Sequence, residues 1–211
     1  MNAPRVTRTH ALVIAAAGLC LLSAAALSED PAPETPAYTS DNGLKMPERY
    51  REWVYLSTGF DMAYRADIRM GHHMFDNVFV NPASYREFQK TGTWPDKTML
   101  VLEVRGARDQ GSINKNGNYQ DTQVMGLEVH LKDEKRFPGK WAFYVFPGRP
   151  VGRLLPQTED CYSCHAAHAA VDTTFVQFYP TLLPIATSKG TLSAQYRAEE
   201  ATAAAPPAGA H

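Results

Sequence analysis

Five residues three-quarters of the way along the 211-residue chain, Cys161-Tyr162-Ser163-Cys164-His165, constrain the fold more than any other stretch. Two thiols at this spacing lie one helical turn apart, so that both can add to the vinyl groups of one haem, with the following histidine beneath the iron as proximal ligand. Two other readings of a Cys-x-x-Cys pair are a zinc half-site and a redox dithiol. Zinc would need a second pair of ligands, yet the third cysteine, Cys20, lies in the N-terminal apolar run. A thioredoxin-type dithiol would sit early in a βαβ unit. The spacing therefore predicts one covalently attached haem c, held by Cys161 and Cys164 and ligated by His165.

Attachment of that kind occurs outside the cytoplasm, and the N-terminus predicts export. Arg5 and Arg8 precede an apolar run from Ala11 to Leu27, and small residues follow it. This is the layout of a cleaved signal peptide, assigned to residues 1–28; the run is short for a membrane span. The expectation is a periplasmic protein without stable membrane insertion, in which no cysteine is left for a disulfide. The formal charge of −1 gives no electrostatic case for nucleic acid.

Residues 29–45, rich in Pro, Ala and acidic side chains, read as a disordered linker. Pro47 predicts a helix start, with Tyr50, Trp53 and Val54 on one helical stripe. Strand-like runs follow at Phe75–Val80, Thr98–Arg105, Thr122–Leu131 and Lys140–Phe146. A short helix is predicted over 82–91, opened by Pro82 and closed by Gly92, and Trp94-Pro95-Asp96-Lys97 reads as a turn. Residues 106–121 read as a long hairpin loop, and 147–156, with three prolines and two glycines, as an irregular approach to the Cys-x-x-Cys-His helix, which Asp160 would cap. The haem domain is assigned to 46–187 and a low-complexity tail to 188–211. Strands joined by short turns, with helices around them, predict an α+β fold: an antiparallel β-sheet packed with helices, the haem carried by a C-terminal helix.

The late position of the motif separates this chain from small electron-transfer cytochromes, in which the motif comes early and a methionine ligand follows. Here all seven methionines lie upstream. The stretches EWVYLSTGFDM (52–62), FDNVFVNPASYREF (75–88), TGTWPDKTMLVLEVR (91–105), GLEVHLKD (126–133), KWAFYVF (140–146) and CYSCHAAHAAVDTTFVQFYPTL (161–182) resemble the cytochrome P-460 family of periplasmic haem proteins, whose relatives include cytochrome c′-β. The resemblance implies a homodimer with a five-coordinate haem iron, open on its distal side to small nitrogen species. Within that family, cytochrome P-460 is similar to a hydroxylamine oxidase and cytochrome c′-β to a nitric-oxide binder. The resemblance also implies a lysine bonded to the haem on the strand after the Trp-Pro-Asp turn; Leu102 stands there, with Lys97 and Lys132 as substitutes.

Candidates for the distal side or for support of the haem are His130 and Glu128, which alternate on one strand face, together with Arg105 for the propionates. Met125, Phe75, Phe79 and Phe143 are candidates for an apolar cap, and Asp172 for a brace on the second nitrogen of His165. The neighbouring His72 and His73 point to opposite faces if extended, which argues against a shared metal. Three functions remain open: oxidation of hydroxylamine with a soluble periplasmic electron acceptor, binding of nitric oxide without catalysis, and six-coordinate electron transfer with Met125 or Met99 as sixth ligand.

Overall fold

Short apolar and aromatic runs separated by turns build an antiparallel meander in this computed structural model, which describes residues 34–64, 71–148 and 150–204. The elements in chain order are β1 (Leu44–Lys45), β2 (Val54–Phe60), β3 (Met74–Val80), α1 (Pro82–Thr91), β4 (Met99–Arg108), β5 (Tyr119–Lys132), β6 (Trp141–Val145), β7 (Val151–Leu154), α2 (Asp160–His168), α3 (Leu183–Lys189) and α4 (Ala194–Ala203). The seven strands lie in the order β1-β7-β6-β5-β4-β3-β2, so β2 to β6 each pair with the next in sequence and only β1 joins from a distance. The predicted α+β architecture is the observed one. Among the described residues no helix is long and apolar enough to cross a membrane. The predicted signal peptide, residues 29–33 and residues 205–211 lie outside the described residues.

Directly paired residues of antiparallel strands share a face. On one face, Val80, Leu100 and Trp141 join Phe88 of α1, Trp94, Val171, Val176, Tyr179, Leu182, Ala186 of α3 and Tyr196 of α4 in one core. On the other, Met99, Val101, Val129, Leu131, Ala142 and Tyr144 pack under Leu44, Tyr50, Trp53 and Phe137. Complete burial of a side chain such as Phe88 is worth about 1.5–3 kcal/mol. Pro82 opens α1 and Gly92 closes it at φ 75, its N–H reaching the Phe88 carbonyl at 2.7 Å. A Cβ at Gly92 would lie 2.8 Å from the Cβ of Lys189, so α1 and the end of α3 meet on a glycine.

Four expectations are corrected. The stripe after Pro47 is a single 3-10 turn, Tyr50–Glu52, and then β2, because Val54 and Tyr55 are captured by pairing with Val80 and Phe79 of β3. The linker assigned to 29–45 is folded from residue 34 onward: the Thr39–Gly43 turn returns the chain to pair Leu44 and Lys45 with β7, and Leu44 is fully buried. The irregular stretch 147–156 contains β7, paired with β6 at Tyr144–Leu154 and Val145–Arg153. The tail assigned to 188–211 contains α4, whose Ser193 Oγ accepts the Tyr196 N–H at 3.1 Å while Tyr196 enters the core. The 46–187 domain is therefore too narrow at both ends. The hairpin loop between β4 and β5 is a solvated extension, narrowed to 109–118 by longer strands.

Candidate functional site

Helix α2 carries the Cys-x-x-Cys-His run on the surface of the fold, with none of its residues buried. Glu159 stands at its N-cap without a side-chain bond, so Asp160 opens the first turn rather than capping it. Tyr162 fastens the helix to the sheet: its hydroxyl donates to the Leu155 carbonyl at 3.1 Å and accepts the Phe143 N–H at 3.2 Å. Cys161 and Cys164 are both free thiols and half-buried. Burial raises both thiol pKa values, with a further push on Cys161 from the Glu128 charge and on Cys164 from Asp160 and Glu199.

His165 is the most constrained side chain of the helix. Its Nδ1 lies 2.7 Å from the Thr173 carbonyl oxygen. A carbonyl only accepts, so Nδ1 carries the hydrogen and the neutral ring presents the lone pair of Nε2. Burial lowers the His165 pKa, which keeps the ring neutral. Phe175 stacks on it at 4.0 Å and 24°, and Phe143 meets it edge-on at 4.7 Å. Tyr64 extends this aromatic shell through Phe175, 5.4 Å away, and Phe178, 6.5 Å away.

The sheet face below α2 is fixed by register. Leu102 pairs with Val78 and Glu128, and Val104 with Asp76 and Gly126, so Asp76, Val78, Leu102, Val104 and Glu128 share the face that carries His130. Burial raises the carboxyl pKa of Glu128, and the charge of Asp76 adds to the effect. Burial likewise raises Asp76, with help from Asp61. Glu128 is close enough to Cys161, and Tyr64 to Cys164, Asp76 and Glu128, for their charges to be felt. A cleft of about 360 Å³ also touches His165, lined by Trp141, Phe143, Tyr162 and Thr173, but neither cysteine lines it.

Several expected residues take other places. Of the two places left open for His130, the geometry matches the supporting one: it packs against His165 itself, ring centroids 5.0 Å apart, and stacks on Phe143 at 4.1 Å. Burial, then the charge of His165, holds its pKa far below the usual histidine range. Arg105 does not face this region; it lies on the opposite face, bonded to Glu103 and to the carbonyls of Asp121 and Thr122. Phe75 pairs with Arg105 and Phe60 on that opposite face, and Phe79 packs there with Tyr50 and Tyr55. Met99 is buried in the opposite core. Met125 is exposed in the middle of β5, at the register shift opposite Val104 and Arg105, where a Cβ on Gly106 would meet its sulfur at 3.3 Å. Asp172 does not brace His165; its carboxylate lies 3.4 Å from Lys132 Nζ. Lys132 also donates to the Trp94 carbonyl at 2.6 Å, and Lys97 pairs with Asp133, so both substitute lysines are engaged elsewhere. His73 bonds Asp61, and among the described residues no cluster of His, Cys, Asp and Glu could hold a metal ion.

Thr173, Phe175, Tyr64 and Asp76 were not among the expected residues. Asp76 was legible, since it alternates with Val78 on a predicted strand. Thr173 acts through its backbone, which leaves no mark in side-chain chemistry.

The family model for cytochrome P460 matches residues 47–176. The chain belongs to the cytochrome P460 family. It is a haem protein of the type shared by cytochromes P460 and c′-β. Among curated proteins no sequence matches it. The residues around α2 fit the cofactor that cytochrome P460 membership implies. Two unpaired thiols share the helix with an imidazole whose hydrogen is already committed, and half-buried Val78, Leu102 and Val104 offer an apolar floor.

Proposed function

We propose that Cys161 and Cys164 hold one haem c through thioether bonds, that His165 is its protein axial ligand, and that the protein binds small nitrogen species such as nitric oxide or hydroxylamine on the other side. The observation that carries this is the hydrogen bond from His165 Nδ1 to the Thr173 carbonyl, which reserves Nε2 for a metal. The haem supplies an iron that takes a small ligand and exchanges electrons. Val78, Leu102 and Val104 would limit water at that face, and the aromatic shell of Phe143 and Phe175 orients the His165 ring. Leu102, on the face of Glu128, supports ligand binding without a third protein–haem bond.

A second reading, oxidation of hydroxylamine, is favoured by the two carboxyl groups of Asp76 and Glu128. Burial holds the carboxyl pKa of both above the ordinary range, so both take up protons more readily than free carboxyls, which suits a group that accepts and returns a proton. Six-coordinate electron transfer is the weakest reading, because Met99 faces the opposite core and Met125 is exposed to solvent. Export by residues 1–28 would deliver the protein to the periplasm, as a homodimer that passes electrons to a soluble partner.

Absorption spectroscopy of the haem-loaded protein, with and without nitric oxide, tests the reading. A high-spin, five-coordinate ferrous spectrum that changes on adding nitric oxide is expected. A low-spin six-coordinate spectrum indifferent to nitric oxide would contradict it. Turnover of hydroxylamine with a soluble acceptor, lost in Glu128→Gln, would select the second reading.

A further inference from the structure

Two residues on the helix-facing side of β5 grip two neighbouring residues of the turn that aims His165. Residues Val171–Thr174 form a tight turn: the Thr174 N–H and Oγ1 donate to the Val171 carbonyl at 2.9 and 2.8 Å, and Asp172 sits at φ 53. A non-glycine residue seldom adopts that left-handed backbone, so the contacts around the turn must hold it. Lys132 reaches the Asp172 carboxylate, and His130 Nε2 lies 3.2 Å from Thr173 Oγ1. Thr173 is thus held at its side chain by His130 while its backbone carbonyl accepts from His165. His130 cannot swing away without repacking, since its ring lies between Phe143 at 4.1 Å and Trp141 at 4.4 Å.

We propose that His130 is a positioning residue for His165 and acts through Thr173: its Nε2 holds the Thr173 hydroxyl, and the turn so fixed keeps the Thr173 carbonyl on His165 Nδ1. The proposal rests on His165 being the axial ligand. A carbonyl held on the Nδ1 hydrogen makes an imidazole a stronger donor to iron, which favours the ferric state. The pair His130–Thr173 thereby sets part of the redox balance without touching the iron.

The test uses haem-loaded Thr173→Val, which keeps the shape and removes the hydroxyl, and His130→Phe, which keeps the ring stack and removes the nitrogen. Each is expected to move the ferric–ferrous equilibrium about tenfold toward ferrous, a rise of about 59 mV for one electron. Each is also expected to lower the iron–imidazole stretching frequency in the resonance Raman spectrum of the ferrous protein. The double variant should shift no further than the larger single, because both break one link. Parent values of potential and frequency in Thr173→Val overturn the proposal, even if His130→Phe melts earlier, since packing alone would account for that. His165→Ala separates the two claims. If it leaves the iron spectrum unchanged, the axial assignment and the proposal fall together; if it alters the spectrum while both other variants stay at parent values, only the positioning role falls.

Discussion

Replacing Trp94 by Phe probes the packing that supports the site from beneath. Trp94 is 2% exposed; its ring lies 4.3 Å from Phe88, and its Nε1–H donates to Thr174 Oγ1 at 2.7 Å. Phe keeps an aromatic ring but removes the donor and part of the buried volume. The hydrogen bond is worth about 1 kcal/mol net, and the unfilled volume costs about 1–2 kcal/mol more. Thr174 Oγ1 keeps its own donation to Val171, so no buried donor is orphaned. The expected loss is about 2–3 kcal/mol, which at a urea slope of about 2–3 kcal/mol per M lowers the unfolding midpoint by ~1 M. A double-mutant cycle with Thr174→Val should return a coupling of about 1 kcal/mol. A midpoint shift below ~0.2 M, or strictly additive singles, would refute the claim that this bond ties the Trp-Pro-Asp turn to residues 171–174.

Glu103→Gln should act on the opposite face and at neutral pH. Burial alone would raise the Glu103 carboxyl, but hydrogen bonds from Arg105, Tyr50 and Arg51 outweigh it and hold the pKa below the ordinary value. Such a group stabilises the fold above the unfolded pKa of about 4.3 and loses that contribution as pH falls through the lower folded value. The variant should therefore lose on the order of 3 kcal/mol at neutral pH and show a flatter acid limb in denaturation curves. Glu128→Gln has the opposite sign. Its folded pKa is raised, by burial and then by Asp76, so the ionised carboxylate costs stability as pH rises above the ordinary glutamate value. The variant should raise the urea midpoint increasingly as pH rises above the unfolded glutamate pKa of about 4.3, and leave it unchanged well below that value.

The strands β3 to β6 and helix α1 were legible because each carries its own signal: short runs of apolar, β-branched and aromatic residues bounded by turn residues in the strands, Pro82 and Gly92 at the ends of the helix. β1 and β7 were not. They are two and four residues long and exist through their pairing with each other and with β6, which no local pattern records. Tyr50, Trp53 and Val54 looked helical because a 3-10 turn followed by a strand places three apolar residues at helix-like spacing. Tyr196 was lost in an Ala-rich segment although it alone anchors α4 in the core cluster. At the site, the Cys-x-x-Cys-His run was legible as chemistry, but strand faces were not. Arg105 and Phe75 belong to the face away from α2, and His130 to the His165 side, because which side of a strand meets a helix is decided by tertiary packing.

The central claim is attachment of one haem at Cys161 and Cys164, and the mass of the proteolytic peptide that spans residues 161–165 tests it most directly. The account predicts one haem on that single peptide, with both thiols consumed and no second peptide bonded to the group. Recovery of the peptide with two unmodified cysteines would contradict it.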